Sequence, residues 1–394
     1  MGSPRIIVTG LVALYPVGGV AWDYLQYLVG LRRLGCDVYY YEDTWCWPYH
    51  PVELRNTSDG SYSAAFISNF FERYAPELNS RWHYLHLHET GYGMSRDAVR
   101  EVAGSADILV NVSGACMWPE GLSASCVKVF LDTDPGYNQI MLSERLEWSE
   151  NVDRWCASVR EHDQHFTYAE NIDGPDCLVP RLDLDWKTTR MPVALDLWEP
   201  LAKTSPGPGA PWTTVMTWND FKGKLVYRGT EYRSKGYEFE KLMALPAMVP
   251  ASLKVAVGGK EAPFRLLDSH GWEAVDGPSV TLRPEQYRTF ISDSRGELSV
   301  AKHVYVALRT GWFSCRSACY LAAGRPVVVQ DTGFSRVFPT GQGLASFSTL
   351  EEAAAAIGEI EADYDRHARA ARSLAREHFN SDIVLSKLLA DIGG

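Results

Sequence analysis

Short apolar runs alternate with segments of helical periodicity along most of the chain. Arg5 to Val12 is an apolar run of strand length, and the segment 20–34 that follows places leucines at helical spacing. The same pattern predicts further strands at 36–41, 82–88, 107–112, 127–131, around His165, and at 213–217, 254–257, 272–275 and 326–329. Strands that alternate with helices are typical of parallel sheets covered by helices. The chain is therefore predicted to be an α/β protein.

The helix predictions rest on periodicity and on capping residues. Ser95 is a predicted N-cap, and Ser348 to Glu352 form a capping box before an alanine-rich segment. The predicted helices are 20–34, 64–74, 95–105, 284–292, 315–323, one that starts in the capping box at 348–352 and runs to about 362, 363–379 and 381–392.

A proline- and glycine-rich segment divides this pattern in two. Residues 205–211 read Ser-Pro-Gly-Pro-Gly-Ala-Pro, which is typical of a linker. The length of 394 residues suits two domains of ordinary size. We therefore predict one domain over residues 1–200, a second over 201–379, and a final helix over 380–394.

The stretch from Gly311 to Phe334 carries the clearest chemistry. Its small apolar residues predict a short helix over 315–323 that ends at Gly324, where a left-handed backbone costs a glycine least. Pro326 to Val329 then predicts a fully buried strand. Residues 330–333 follow at the carboxyl end of that strand, where open α/β sheets place their ligands.

The start of this predicted helix suits an anion, because its backbone N–H groups and positive dipole end face outward. Ser314, Arg316 and Ser317 add donors there, and an arginine can grip a phosphate with two hydrogen bonds. The adjacent strand end offers side chains suited to sugar hydroxyls, namely Gln330, Asp331 and Thr332. Together these residues predict a nucleotide-sugar site. The alternative is an ordinary α/β unit whose arginine forms a salt bridge on the helix.

Other cations lie between glycines in the second half of the chain. Arg228 and Lys235 are the candidates to clamp a diphosphate, in a segment that also contains residues 221–224. A solvated charged loop is the alternative. Glu297 is a candidate to hold ribose hydroxyls and Lys302 to hold a phosphate, with a structural glutamate–lysine pair as the competing interpretation.

Further candidate residues in the first half follow predicted strands. Gly18 and Gly19 form a glycine turn that joins a strand to a helix tightly. Asp132 and Asp134 are candidate bases at a strand end, although either could cap the next helix. His165 is a further candidate base, since an imidazole titrates near neutral pH, or else a hydrogen-bonded core histidine.

An aromatic loop follows the second predicted strand. Trp45 to Pro51 could form an acceptor wall or a packed surface loop. His83, His86 and His88 do not share a helical metal spacing, so we expect no zinc site there.

Two segments resemble GT-B glycosyltransferases of the broad glycosyltransferase group 1 type. Arg316 to Gly333, especially Leu321-Ala-Ala-Gly-Arg-Pro-Val-Val328, is similar to their donor-binding segment. Residues 5–43 are similar to their first βαβ unit, and this resemblance implies that the loop with Gly18 and Gly19 faces the cleft. Retaining members carry two glutamates, at positions that correspond here to Gly311 and Cys319. That signature is absent, which favours inversion slightly without deciding it.

The resemblance implies two Rossmann-like domains that face a cleft. The C-terminal domain would bind a nucleoside-diphosphate sugar, the N-terminal domain would bind the acceptor, and the final helix would cross back to the N-terminal domain. The implied reaction is hexosyl transfer to a hydroxyl or amine of a small natural product or glycan, with no metal and no cofactor. Rivals are a GT-B nucleotide-sugar epimerase and a noncatalytic GT-B partner. A dehydrogenase is disfavoured because the GxGxxG turn is missing.

Composition narrows the class of partner and the compartment. The net charge of −11 argues against a nucleic-acid binder. The eight cysteines include no CxxC pair, which suggests reduced thiols in a cytoplasmic protein. We expect no secretory signal peptide and no membrane span. The oligomeric state is not predicted.

Overall fold

The computed structural model describes residues 3–143, 150–219, 225–259 and 261–393. The strands of the first half are β1 Arg5–Thr9, β2 Asp37–Glu42, β3 Tyr49–His50, β4 Arg55–Asn56, β5 Trp82–His86, β6 Thr90–Gly93, β7 Ile108–Val112, β8 Val127–Asp132, β9 Gln164–Thr167 and β10 Trp186–Thr188. The helices there are α1 Gly18–Arg33, α2 Ser61–Tyr74, α3 Arg96–Gly104, α4 Tyr137–Ser143, α5 Glu150–Arg160 and α6 Leu195–Trp198.

Eight of these strands form one sheet in the order β10-β9-β8-β7-β1-β2-β5-β6. All neighbours run parallel except β5 and β6, which form a hairpin. Because β1 lies between β2 and β7, its apolar residues are covered on both faces, and Ile6 and Val8 are fully buried.

The second half contains β11 Trp212–Thr217, β12 Leu225–Tyr227, β13 Thr230–Tyr232, β14 Leu253–Gly258, β15 Glu273–Asp276, β16 Gly296–Ser299, β17 Val327–Gln330 and β18 Leu344–Phe347. Its helices are α7 Lys235–Glu240, α8 Phe264–Ser269, α9 Gly277–Thr281, α10 Pro284–Asp293, α11 His303–Ala307, α12 Cys315–Ala322, α13 Leu350–Ala362, α14 Tyr364–Leu374 and α15 Ser381–Gly393. A π-helical turn, Ala375–Phe379, joins the last two.

Six strands form the second sheet, which is parallel throughout in the order β15-β14-β11-β16-β17-β18. The segment 205–211 lies between the two sheets in sequence, whereas the domain limits themselves stay a prediction. The periodicity did not predict eight of the strands, namely β3, β4, β6, β10, β12, β13, β16 and β18. Within β16, Glu297 interrupts the apolar pattern, and its burial depends on a partner from α12.

Local capping explains several helix boundaries. The Ser95 hydroxyl accepts a hydrogen bond from the Ala98 N–H, and Thr349 and Glu352 cap one another's backbone at the start of α13. Gly324 adopts a left-handed φ of 70° directly after the α12 helix end, as predicted.

The core of the first sheet continues into the second half of the chain. Trp22 of α1 packs edge-on against Trp198 at a centroid distance of 5.2 Å, and its indole N–H donates to the Pro284 carbonyl at 2.9 Å. At the C-terminus, Lys187 of β10 donates to the Asp391 carbonyl of α15 at 2.6 Å. The two halves are therefore held against one another at several points.

Candidate active site between the two sheets

A cavity of about 190 Å³ lies between the two halves, at the carboxyl ends of strands from both sheets. α1 and the segments after β7 and β8 supply one wall, and α7, α11 and the approach to α12 supply the other. Its polar lining is formed by Asp23, Tyr24, Tyr27, Ser113, Thr133, Asp134, Tyr168, Lys235, Lys302, Tyr305 and Cys315. This is the place where α/β sheets present their ligand-binding side chains.

Asp134 and Lys302 meet across this cavity. Lys302 Nζ lies 2.5 Å from Asp134 Oδ1, and the Tyr305 hydroxyl donates to the same oxygen. Burial alone would raise the pKa of Asp134, but the charge and hydrogen bond of Lys302 lower it below its ordinary value. Asp134 is therefore a stable carboxylate that orients a lysine.

Lys235 brings a second ammonium group to the same wall. It is the first residue of α7, and its Nζ lies 5.8 Å from the centroid of the Trp312 ring. Its charge also lowers the pKa of Asp134. Two of the four predicted donor-binding cations, Lys235 and Lys302, thus line the same cavity.

Asp23 lies on the opposite wall, on α1. The thiol of Cys315, at the start of α12, donates a hydrogen bond to Asp23 Oδ2 at 3.1 Å. Burial raises the pKa of Asp23 to about 7, against the lowering effects of that hydrogen bond and of the charge on Arg316. A carboxyl group with this pKa can accept a proton near neutral pH. The sequence prediction missed Asp23, although it is the one carboxylate in α1.

The start of α12 retains donor groups close to the cavity. Ser317 is buried, and its hydroxyl has no hydrogen-bond partner among the described residues. The Ser314 side chain precedes the helix without forming a cap hydrogen bond. Both residues line a small space together with Trp312, Gln330 and Thr332. Contact of Ser314 and Ser317 with a ligand stays a prediction.

Arg316 does not face the cavity, contrary to the sequence prediction. Its Nε lies 2.5 Å from Glu297 Oε1, and its two terminal nitrogens donate to the Val215 carbonyl at 2.7 Å and to Ser299 Oγ at 2.6 Å. All three nitrogens are therefore bound within the second sheet. The predicted phosphate role of Arg316 and the predicted ribose role of Glu297 are replaced by a buried structural pair.

The predicted sugar-binding residues after β17 hold the surrounding loops. Gln330 accepts from the Ala301 N–H at 3.2 Å and donates to Glu238 at 2.5 Å. Asp331 accepts from the Gly333 N–H at 2.9 Å and from the Ser335 hydroxyl at 3.0 Å. The Thr332 hydroxyl donates to the Trp312 carbonyl at 2.6 Å. Their polar atoms support the cavity wall, and direct contact with a sugar stays a prediction.

Asp132 is buried and saturated with hydrogen bonds, so it is not the base. Its carboxylate accepts from the Asp134 N–H at 3.0 Å and from three side chains, those of Asn138, Gln139 and Thr167, at 2.6, 2.7 and 2.7 Å. Burial raises its pKa to about 6 in spite of these donors. Asp132 thus organises the turn that carries Asp134. This matches the alternative role in the sequence analysis, in which the carboxylate caps the next helix.

His165 is a core histidine, which corrects its proposed role as a base. Its Nε2 donates to the Val159 carbonyl at 2.8 Å, and its ring packs against Phe130 and Trp186. Burial lowers its pKa. The imidazole does not line the cavity.

Gly18, Gly19 and Arg228 also lie outside the cavity lining. A Cβ at Gly18 would lie 2.8 Å from the Arg283 carbonyl oxygen, and one at Gly19 would lie 3.3 Å from the Tyr287 ring. These glycines thus let α1 approach α10 closely. Arg228 is exposed in the two-residue turn of the β12–β13 hairpin, with a φ of 49°. The remaining glycine and lysine candidates at 221–224 lie outside the described residues.

The two positions of the retaining signature are used for packing between the halves. Gly311 has a φ of 81°, and a Cβ there would lie 2.3 Å from the Asn171 backbone nitrogen. Cys319 is buried, and its sulfur accepts a hydrogen bond from Gln26 Nε2 at 3.7 Å. Neither position lines the cavity, so a glutamate at either would meet protein rather than a ligand.

Two features are absent from the part of the chain that the structure describes. No group of three or more His, Cys, Asp or Glu side chains is arranged to hold a metal ion. None of the helices found in those ranges has both the length and the apolar character to cross a bilayer.

Known proteins with a similar sequence segment or a similar structure identify the fold of this chain. Residues 240–390 match the family model of a glycosyl transferase-like domain. No curated protein matches the chain significantly. The chain is similar to an alpha-glucosyltransferase solved with UDP and a 13-mer DNA, with a TM-score of 0.56, 13% identity and all of both chains covered.

Two other solved structures cover nearly the whole chain. HepE of Anabaena, in complex with UDP and glucose, has a TM-score of 0.53 and 12% identity over 99% of this chain and 100% of that chain. The sucrose-phosphate synthase of Thermosynechococcus elongatus has a TM-score of 0.51 and 12% identity over 98% and 99% of the two chains. These likenesses confirm the predicted GT-B fold, with two Rossmann-like halves around a cleft.

Proposed function

We propose that this chain, which has the GT-B fold and a glycosyl transferase-like domain match over residues 240–390, is a glycosyltransferase that transfers a sugar from a nucleoside-diphosphate sugar to an acceptor hydroxyl or amine without a metal ion. The observation that carries the proposal is that Lys235 and Lys302, from the second half of the chain, line the same cavity as Asp23, from the first half. The two lysines suit a leaving anion, and Asp23 suits an acceptor that must lose a proton.

The lysine wall supplies electrostatic stabilisation of the leaving group. When the bond between the anomeric carbon and the diphosphate oxygen breaks, the electron pair remains on the diphosphate. Lys235 and Lys302 are pre-positioned cations for that charge, as donors aimed at a developing anion must be. The start of α12, with the unpartnered hydroxyl of Ser317, adds a further donor in the same region. This arrangement provides a metal-independent route.

Asp23 is the proposed base. Its carboxylate takes the proton of the acceptor hydroxyl while the acceptor oxygen bonds to the anomeric carbon, and the nucleoside diphosphate departs. A pKa of about 7 keeps a large fraction of Asp23 deprotonated at neutral pH while leaving it basic enough to accept a proton. Direct displacement of this kind inverts the anomeric centre. Retaining relatives carry glutamates at the positions of Gly311 and Cys319, and the absence of both glutamates here supports inversion over retention.

The cavity volume bears on how substrates enter. Ligand pockets are typically about 300–1,000 Å³, so 190 Å³ is too small for a nucleotide sugar and an acceptor together. We expect the halves to separate for binding and to close over the substrates. The contacts that must part include Asp134–Lys302 and Asp23–Cys315.

The test combines nucleotide binding with turnover. Thermal shifts and calorimetric titrations of the wild-type protein with a panel of nucleoside diphosphates and their sugars, with and without EDTA, identify the donor. Lys235→Met and Lys302→Met should each weaken diphosphate binding by about tenfold or more, because each removes a charge-assisted contact. Lys254→Met is the matched control. Lys254 Nζ lies 2.8 Å from Glu273 Oε1, and Lys254 does not line the cavity.

Because Lys302→Met also leaves Asp134 without its cation, Asp134→Asn is measured beside it. If the lysine variants bind the diphosphate as tightly as Lys254→Met does, the anion assignment is wrong. If no nucleotide binds to folded wild-type protein, a noncatalytic GT-B protein becomes the better account.

A further inference from the structure

A second polar cluster lies at the carboxyl end of β2, outside the cavity lining. Asp43 follows β2 and its side chain is fully buried, whereas the side chain of His88 is 49% exposed. His88 Nδ1 lies 2.7 Å from Asp43 Oδ2. In a neutral imidazole, a carboxylate on Nδ1 holds the proton there and leaves the lone pair on Nε2. Within the described residues, Nε2 has no hydrogen-bond partner.

The imidazole is one face of an aromatic stack. The rings of Trp45 and His88 lie 4.4 Å apart with an interplanar angle of 14°. Trp45 is 52% exposed, which is high for an indole that already has a stacking partner. The pair therefore presents a flat apolar surface with a hydrogen-bond acceptor at its edge.

The backbone that holds this pair is strained. Leu87 and His88 have φ values of 49° and 61°, and Trp45 has a φ of 56°. In the turn closed by the Glu89 N–H and the His86 carbonyl, both central residues are left-handed, a conformation for which asparagine and glycine are the usual choices. Bulky residues in this region cost free energy and tend to occur at functional sites.

The cluster lies beside the proposed active site. The Met117 N–H donates to the Asp43 backbone carbonyl at 2.9 Å, and the loop that contains Met117 begins at Ser113, which lines the cavity. Both sites are thus at the same edge of the first sheet, on the half that does not carry Lys235 and Lys302.

We propose that Trp45, His88 and Asp43 form a saccharide-binding site for the acceptor. The stacked rings receive the C–H face of a pyranose ring, and His88 Nε2 accepts a hydrogen bond from a ring hydroxyl. A neutral sugar fits the charge of the site, because the Asp43 carboxylate and the net charge of −11 oppose an anionic ligand. Its identity as the acceptor rests on the proposed function, whereas saccharide binding itself does not require turnover.

The experiment measures binding of neutral methyl glycosides and disaccharides by saturation-transfer NMR and tryptophan fluorescence. Trp45→Ala should weaken binding by about tenfold or more, from the loss of the aromatic face. His88→Asn should weaken it similarly, and because asparagine tolerates the left-handed turn this variant stays folded. Trp47→Ala is the matched control, since Trp47 is in the same loop and is 55% exposed. It should change binding less than twofold.

Donor hydrolysis without acceptor separates this inference from the proposed function. If wild-type protein hydrolyses the donor but binds no glycoside, the saccharide site is wrong and the proposed function stands. If glycosides bind with the expected loss in Trp45→Ala and His88→Asn but no donor binds, the site stands and the proposed function falls. Equal losses in Trp45→Ala and Trp47→Ala, or none in either, overturn the assignment to the stacked pair.

Discussion

The thiol of Cys315 and the carboxylate of Asp23 meet across the cleft at 3.1 Å. One residue begins α12 in the second half of the chain, and the other lies on α1 in the first. Because the pKa of Asp23 is sensitive to this contact, the position of the two halves and the protonation of the proposed base are linked.

Asp23→Asn should reduce kcat by about 10²–10⁴-fold, the usual contribution of a general base, and leave diphosphate binding unchanged. Steady-state rates and calorimetric titration on the same preparation check both parts. A variant that keeps wild-type kcat would exclude Asp23 as the base.

The same substitution should stabilise the protein at alkaline pH. The folded-state pKa of Asp23, about 7, lies above the usual carboxyl value of about 4. Between these values the unfolded state ionises first, so the wild-type protein loses stability as the pH rises toward 7. Asp23→Asn removes that loss, and its Tm should exceed the wild-type value at pH 8 but match it near pH 4. The opposite order at pH 8 would contradict the raised pKa.

Cys315→Ala should shift the pH profile of kcat/KM upward. The thiol hydrogen bond lowers the pKa of Asp23, so its loss raises the pH at which the carboxylate forms. Activity of the wild-type enzyme should rise through about pH 7, and that of the variant at a higher pH. Cys315→Ser, which keeps a donor, is the control and should resemble wild type.

Arg316→Met should destabilise the fold rather than act on binding alone. Removing one partner of a buried ion pair leaves Glu297 uncompensated, which costs about 3–5 kcal/mol. Replacing both residues, Arg316→Met with Glu297→Leu, should recover a large part of the loss in chemical denaturation. If Arg316→Met unfolds like wild type and loses only diphosphate affinity, the guanidinium contacts a ligand after all.

Gly311→Ala should be more destabilising than Gly229→Ala, although the two glycines have φ values of 81° and 80°. A Cβ at Gly311 meets the Asn171 backbone at 2.3 Å, whereas a Cβ at Gly229 meets nothing within 4 Å. Both variants carry backbone strain of about 1–2 kcal/mol. The additional loss of unfolding free energy in Gly311→Ala therefore measures the contact between the two halves. If Gly311→Ala and Gly229→Ala lose the same free energy of unfolding, the contact between Gly311 and Asn171 relaxes without cost.

Arg228→Asn should stabilise the β12–β13 hairpin by about 0.5–1 kcal/mol without changing activity. Arg228 and Gly229 both have positive φ in a two-residue turn, for which an Asn-Gly pair is preferred. Denaturation curves and steady-state rates check the two parts. A loss of activity would restore the diphosphate role that the sequence suggested for Arg228.

The local pattern of the chain was enough to predict the fold class and most elements. Apolar runs predicted the central strands, and capping residues such as Ser95 and Thr349 predicted helix starts, because both signals act within a few residues. The resemblance around residues 316–333 led to the GT-B fold. Strand β16 was missed, because Glu297 makes a buried strand read as a polar segment until its partner on α12 is known.

The tertiary structure decided which polar residues serve chemistry. Arg316, Asp132 and His165 were plausible site residues in sequence, yet each has its polar atoms bound inside the protein. Lys235 and Lys302 do reach the cavity, and Asp23 joins them from a helix more than two hundred residues earlier. Whether a polar side chain can contact a ligand depends on its burial and on partners that are distant in sequence. These set its hydrogen bonds and its pKa. Periodicity and spacing record the local backbone, whereas these long-range contacts exist only once the two sheets face one another.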